Sequence, residues 1–486
     1  MQKSIAKNFV YKFILNLFNI VVPILVGPYL ARTLGPENMG VFNYSNAVFG
    51  YFFIFASFGV YQYGVRELSN NRNDNEKYRK VFTNIFLISV ITNILALLVY
   101  LIFINGAYSD DILYVPCMIL SFDFFSNIFY VEWVNESLES YNFISIKTII
   151  IRIVYVVLLF IMVEGSDNLN EYMLLLCFTT FLNNIVSYIY VKRRIKFKFK
   201  DFEVKKHLKG MFFVVILSNI TVLYTQLDKL VIGKYINMEA VAFYSVAQSI
   251  TRIISGLMQT FINVTIPRLN YYLSNDEENN YIELLNKVSG IYFLFLFPVC
   301  IGMFVLSKEI IALYGGDAYL GATSVFAIFS IYVITLGYES ILANQIMYVK
   351  GRERGLVRID IIGGIFNLIS NYILVFLNIL TPVTAILTTM VANIIIIILQ
   401  NYYTREKLKV NFKIFSLDKT KYLIISLVFI PITIFIKSMV TGIIRISIIT
   451  VFINALIYFL ILYISKDKVF TEILNIVKRR FGGDNE

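Results

Sequence analysis

Histidine occurs once in the 486 residues, at His207, and cysteine three times, at Cys117, Cys177 and Cys300. The cysteines sit inside apolar runs, with neither metal-ligand spacing nor a disulfide framework. A single histidine inside a basic run leaves a Ser-His-Asp triad without its base, so no metal and no catalytic residues are expected. The chain contains no GxxxxGK[ST] and no GxGxxG after a strand, which removes the usual nucleotide cradles and any bound cofactor. Charge is scarce as well: 15% of residues are charged, where a soluble domain carries about 25%. What remains is apolar, 58% hydrophobic with a mean hydropathy of +0.71, which excludes a large soluble enzyme.

A membrane-crossing helix needs about 20 mostly apolar residues. Fourteen segments qualify: 9–31, 40–62, 81–104, 112–135, 144–163, 171–191, 210–236, 240–266, 288–306, 321–348, 357–377, 382–402, 422–441 and 446–464. The first follows Lys3 and Lys7 and holds Pro23 and Pro28. It is too long for a signal-peptide core and lacks a small-residue cleavage site, so it reads as a retained helix. Of the 43 Lys and Arg residues, 33 fall on one set of connections and termini and 4 on the other. That bias is a positive-inside pattern and predicts that both termini are cytoplasmic. The net charge of +11 is therefore a topology label, and no nucleic-acid partner is expected.

The longest and most basic connection is 192–209, KRRIKFKFKDFEVKKHLK, read as a cytoplasmic headgroup anchor and as the boundary between two halves. A shift of 202 residues brings Glu37 onto Glu239, Arg66 onto Arg268, Asn73-Asp74 onto Asn275-Asp276, Glu76 onto Glu278 and Asn84 onto Asn286. Six helices is an even number, so the copies share one orientation, as parallel repeats do. The expected fold is an all-α polytopic membrane protein. It has a six-helix bundle over 1–191, the linker 192–209, a second six-helix bundle over 210–404, and an appended helix pair with a cytoplasmic tail over 405–486.

Polar residues inside the apolar segments fall on helical faces. Gln248, Arg252, Ser255, Gln259 and Asn263 step by three or four, as do Ser218, Thr221, Thr225 and Asp228, with Lys229 beside them. Lys12, Asn16, Asn19 and Pro23 form a third stripe, and Asp360, Gly364, Asn367 and Asn371 a fourth. Stripes drawn from both halves suggest a shared wet cavity; Ser, Thr and Asn alone would also serve to hold helices together. Ionisable groups at membrane depth are costly and mark such cavities. Arg152 and Arg252 are the leading cations, with Lys12, Arg32, Arg66, Lys229 and Arg268 behind them. Asp123 and Asp228 are the candidates for coupling a proton or sodium ion, and Glu339 is a further acid. Glu132, Lys147, Arg358 and Asp360 lie near helix ends, where snorkelling explains them. Trp133, the only tryptophan, reads as an interfacial anchor.

Several stretches carry a family resemblance. The first helix leaves through PYLARTLGPENMGVFNYS and the second ends in GVYQYGVREL. Later the chain reads YTQLDKLVIGKYINMEAVAFYS, then IPRL. These resemble the Wzx-type polysaccharide-repeat flippases of the multidrug/oligosaccharidyl-lipid/polysaccharide exporter superfamily. The pattern positions carried over are Pro28, Arg32, Gly35, Gly40, Gly64, Arg66, Glu67, Asp228, Gly233, Tyr244, Pro267 and Arg268. The run Trp133-Val134-Asn135-Glu136-Ser137 departs from the Trp-Phe-Phe-Gln-Gly often seen there, although Glu139 matches the Glu that follows.

The resemblance implies export of an undecaprenyl-diphosphate-linked oligosaccharide across the bacterial inner membrane, for lipopolysaccharide or capsule, driven by an ion gradient or by substrate flux. Membrane lipids and glycan-polymerase or assembly proteins are the partners it suggests. A drug/cation antiporter of the same superfamily is the alternative, and it usually has twelve helices. An enzyme is disfavoured because the longest outer connection, about 307–320, is too short for a catalytic loop. A transport-free scaffold would not need continuous polar stripes.

Overall fold

The structure is a computed structural model that describes residues 5–199 and 203–481; the side chains of 5–9, 213, 216–225, 476–477 and 479–481 are not among those described. The described residues form eighteen α-helices. In the first half they are α1 (Ile5–Ser57), α2 (Val60–Asn70), α3 (Asn75–Ala107), α4 (Tyr114–Ile128), α5 (Glu132–Ser137), α6 (Tyr141–Met162), α7 (Leu169–Lys192) and α8 (Val204–Tyr235). Then follow α9 (Met238–Ser274), α10 (Glu278–Val305), α11 (Ser307–Gly315), α12 (Thr323–Ser340), α13 (Glu353–Phe376), α14 (Pro382–Tyr402), α15 (Leu417–Ser426), α16 (Phe429–Met439), α17 (Ile443–Ile464) and α18 (Lys468–Phe481). Two π-helical segments, Ile341–Tyr348 and Tyr403–Lys407, extend α12 and α14.

Eleven helical stretches of the described residues are long and apolar enough to cross a membrane. One of them, Val10–Asn70, holds two of the expected spans. The expected segments 210–236 and 240–266 are helical, in α8 and α9, but are not among the eleven. The protein is thus all-α and polytopic.

The long α1 is two helices joined at Gly35, which takes φ 74° and ψ 171°. Pro36 explains the break: the residue before a proline avoids helical geometry, and proline is well suited to open the next helix. Glycine reaches the positive φ without a Cβ penalty. The break between α8 and α9 falls at Ile236–Asn237, and Asn237 lies 202 residues beyond Gly35.

The chain divides into two compact units, Met1–Ala242 and Phe243–Glu486. This division lies beyond the boundary expected at 192–209, because α8 packs within the first unit against α1, α2 and α3. The first unit's core is aromatic where α2, α3 and α5 meet. Trp133 is 1% exposed, with its ring 5.9 Å from that of Phe82 and its indole N–H donated to the Tyr130 carbonyl at 3.2 Å. It is not an interfacial anchor. A Cβ on Gly64 would lie 2.5 Å from Trp133 Cε3, so α2 approaches the indole face only because residue 64 lacks a side chain.

Part of the basic connection packs on the protein. Residues 195–199, neither helix nor strand, lie against α3. Phe197 stacks on Phe82 at 5.3 Å, Arg79 donates to the Lys196 and Phe197 carbonyls, and the Lys198 N–H donates to Thr83 at 2.9 Å. Lys198 pairs with Glu76, and Lys80 pairs with Glu203 at 2.7 Å. Residues 195–199 thus form a strap with Ile195 and Phe197 turned onto the protein and Phe199 exposed. Beyond it, His207 is buried and hydrogen-bonded through Nδ1 to the Tyr63 hydroxyl at 3.0 Å. Burial pushes its pKa down despite the opposing charge of Glu67, so the imidazole is neutral at neutral pH.

In the second unit, α10 packs with α12 and α15, and α14 with α12 and α13. The amphipathic α18 packs on α10 and α17. Asp467 sits at its N-terminus, accepting from the Phe470 N–H at 2.9 Å and the Tyr422 hydroxyl at 3.1 Å, and pairing with Lys421.

Candidate functional site

The sequence-derived residues fall into three groups. Lys12, Arg32, Arg66 and Arg268 are exposed. Lys12 lies 5.1 Å from the Tyr141 ring centroid, Arg66 5.5 Å from that of Tyr63, and Arg268 donates to the Tyr272 hydroxyl at 3.1 Å. Aromatic rings seat Lys12, Arg66 and Arg268 while leaving the guanidinium and ammonium groups accessible. Asp228 and Lys229 form the second group, buried in the first unit at 0% and 7% exposure, and both have partners. The remaining polar members of that stripe, Ser218, Thr221 and Thr225, lie outside the described side chains.

The third group is at helix mid-lengths. Arg152 in α6 is half-buried beside Tyr155, with no hydrogen-bond or ion-pair partner among the described residues. Arg252 in α9 is exposed, and its Nη2 donates to Gln248 Oε1 at 3.3 Å, a neutral partner. No carboxylate among the described residues neutralises either guanidinium. Asp123 in α4 lies near Cys177, whose thiol donates to the Ile119 carbonyl at 3.6 Å, and its Oδ1 is buried without a partner among the described residues.

The α9 stripe is joined to a second polar row that sequence spacing does not reveal. Gln259 donates to Asn263 at 3.2 Å and accepts from the Ser340 hydroxyl at 2.5 Å. Asn344 donates to Ser340 at 3.2 Å, and Gln345 donates to Thr265 at 2.8 Å. Ser340 closes α12 and Gln345 lies five residues on, in its π-helical extension, where i→i+5 geometry puts such a pair on one face as a 3.6 period would not. Deeper in this unit Asn393 donates to Glu339, Asn367 donates to Thr389 at 2.9 Å, and Asn371 donates to Asn367. Asp360 Oδ1 and both amide atoms of Gln400 are buried without partners among the described residues. Snorkelling does not describe Asp360 here.

Glu132 and Lys147 correct the expectation more sharply. The ammonium is buried and reaches Glu132 Oε2 at 3.1 Å, Ser187 Oγ at 2.6 Å and the Asn183 carbonyl at 3.3 Å. This pair ties α5, α6 and α7 together inside the first unit. A separate groove of about 560 Å³ between α16 and α17 is lined wholly by apolar side chains such as Phe435, Met439 and Ile453.

Residues 5–272 match the family described as polysaccharide biosynthesis protein. The chain belongs to that family. Family membership makes it a multi-pass membrane transporter of the flippase type in polysaccharide biosynthesis, not an enzyme.

A family relative in Escherichia coli (strain K12), named as an O-antigen transporter, is 22% identical over 388 residues, covering 75% of this chain and 89% of that protein. Another, named as the low-salt glycan biosynthesis flippase Agl15 of Haloferax volcanii, is 24% identical over 388 residues, covering 76% and 78%. Among solved structures, lipid II flippase MurJ in an inward closed conformation superposes with a TM-score of 0.71 at 16% identity, over 96% of this chain and 98% of that one. An inward-facing multidrug MATE transporter gives 0.65 at 13% identity, over 81% and 94%. The family thus shares the fold of the MOP superfamily.

Proposed function

We propose that the protein moves an undecaprenyl-diphosphate-linked oligosaccharide repeat unit from the cytoplasmic to the outer leaflet of a bacterial inner membrane by alternating access. The observation that carries this reading is the pair Arg152 and Arg252, mid-helix cations without a counter-charge among the described residues. A cation at membrane depth costs roughly 2.5–3.5 kcal/mol even on the mildest insertion scale, so an unneutralised one needs a compensating ligand. A diphosphate meets that need, because the planar guanidinium forms paired charge-assisted hydrogen bonds with phosphate oxygens. Gln248, Gln259 and Asn263, continued by Ser340 and Asn344, offer amides and hydroxyls to sugars. The apolar chain of such a cargo can remain in lipid or lie in the groove between α16 and α17.

In this reading the chain crosses the membrane fourteen times with both termini cytoplasmic. Two six-helix repeats, 1–191 and 210–404, rock about the cavity. The recurrence of the helix break 202 residues on supports the repeat. Asp123 and Asp228 are the acids assigned to proton or sodium coupling.

The test replaces Arg152 and Arg252 with Ala, singly and together, confirms membrane insertion, and measures glycolipid reaching the outer leaflet. Transport should fall strongly, and unchanged transport in the double variant removes both residues from the mechanism. The fold is shared with multidrug transporters, so drug-resistance assays with and without the protein separate an antiporter from a flippase.

A further inference from the structure

A cavity of about 490 Å³ opens at the start of α13, away from the residues assigned to transport. Arg352, Arg354 and Arg358 line it, with Glu353 as the only carboxylate in its wall among the described residues and Ile359 and Tyr403 among its apolar and aromatic surfaces. All three arginines are exposed, and none makes an ion pair among the described residues. Arg352 caps the helix and Arg354 lies in its first turn. The free N–H groups and the positive dipole end of α13 therefore add to the same field.

What lies below the arginines identifies the ligand. Starting from Arg354 and Arg358, steps of three and four lead to Ile362, Ile365, Ile369 and Tyr372, which are all exposed. Arg354 and Arg358 thus open a face of α13 that continues as an uncovered apolar rail, with Arg352 beside them at the helix start. From Ile362 to Tyr372 the rail is about 15 Å long at 1.5 Å per residue, half of a hydrocarbon core about 30 Å thick. A phosphate head over chains one leaflet deep matches this surface; a polyprenyl chain far exceeds it.

We propose that the start of α13 is a binding site for an anionic glycerophospholipid of the surrounding leaflet, its phosphate held by Arg352, Arg354 and Arg358 and its acyl chains lying along Ile362, Ile365, Ile369 and Tyr372. Basic pockets between membrane helices hold anionic headgroups in this manner. The site is independent of the cargo proposed above.

The test uses the purified full chain in nanodiscs and measures retention of phosphatidylglycerol against phosphatidylcholine by native mass spectrometry. The wild type should retain phosphatidylglycerol in preference. Each lost arginine should weaken retention about fivefold, so R352A/R354A/R358A should lose on the order of a hundredfold with phosphatidylcholine unchanged. Glu353→Gln removes the opposing charge and should strengthen retention several-fold, an effect that a purely structural arginine cluster would not produce. If the triple Ala variant does not fold, the triple Lys variant and Glu353→Gln decide. Equal retention of both lipids by the wild type, or no change in either arm, overturns the proposal. Tighter binding of undecaprenyl diphosphate than of phosphatidylglycerol through the same arginines assigns the site to cargo and also overturns it.

Discussion

Lys147 is the place to test how the first unit is held together. Its ammonium is engaged by both Glu132 oxygens, the Ser187 hydroxyl and the Asn183 carbonyl, and Ser187 in turn donates to Glu132 at 2.6 Å. Lys147→Met keeps the length of the stem and removes the charge. Among the described residues Glu132 is then left with only the Ser187 and Asn135 donors, in a site where its side chain is 14% exposed. Breaking a buried pair from one side costs about 3–5 kcal/mol, because the surviving charge stays desolvated. Glu132→Gln strands the ammonium and should cost a similar amount. Removing both charges together should cost far less than the sum, since a neutral pair leaves no orphaned ion. Equilibrium unfolding in mixed micelles, run as a double-mutant cycle, measures the difference. Single variants that each lose under about 0.5 kcal/mol and simply add would refute the buried latch and restore the picture of two snorkelling side chains.

Other perturbations have equally definite outcomes. Gly64→Ala should destabilise the first unit by about 1–3 kcal/mol, because its Cβ would meet the Trp133 ring at 2.5 Å; thermal stability in detergent and the tryptophan emission maximum both report it. Burial alone would raise the pKa of Asp467, but Lys421, the Phe470 N–H and the Tyr422 hydroxyl together outweigh it and hold the pKa below the usual carboxylate value. The stabilisation is therefore present above about pH 4 and is lost as pH falls through the folded pKa. Amide exchange across α18 should follow that course, and Asp467→Asn should lose protection at neutral pH. Ser340→Ala should lower transport without lowering stability if the row on the α12 extension serves the cargo, and equal losses in both would make it a structural brace.

The helices were legible because apolar runs bounded by charge need no tertiary information. The kink at Gly35-Pro36 could be read from the dipeptide, and the α9 stripe from its spacing. Other features depended on contacts that no local pattern encodes. Trp133 looked like an anchor because it stands near the end of an apolar segment, yet Gly64 provides it a buried slot. Glu132 and Lys147 are fifteen residues apart on different helices, so their pairing is tertiary. Ser340 and Asn344 are four apart, but Gln345 joins them only because the π-helical turn shifts it onto that face, which a 3.6 period does not show. The strap at 195–199 follows the alternation of the sequence, but nine cations in 192–209 give the same segment the composition of a lipid anchor. Placement of Arg152 and Arg252 within apolar segments is legible in the sequence; that no carboxylate among the described residues pairs with either depends on side-chain positions.

The break in α1 has a neighbour of particular meaning. A Cβ on Gly40 would sit 1.8 Å from the Met238 carbonyl oxygen, and one on Gly233 would sit 2.2 Å from Tyr44 Cδ2. These contacts bring the turn after Gly35 against the turn at Ile236–Asn237 inside the first unit. Backbone that meets backbone at this range leaves no room for a methyl group. An alanine at Gly40 or Gly233 would have to part the two turns before the chain could close, so this pair of hydrogens sets how near the turns come.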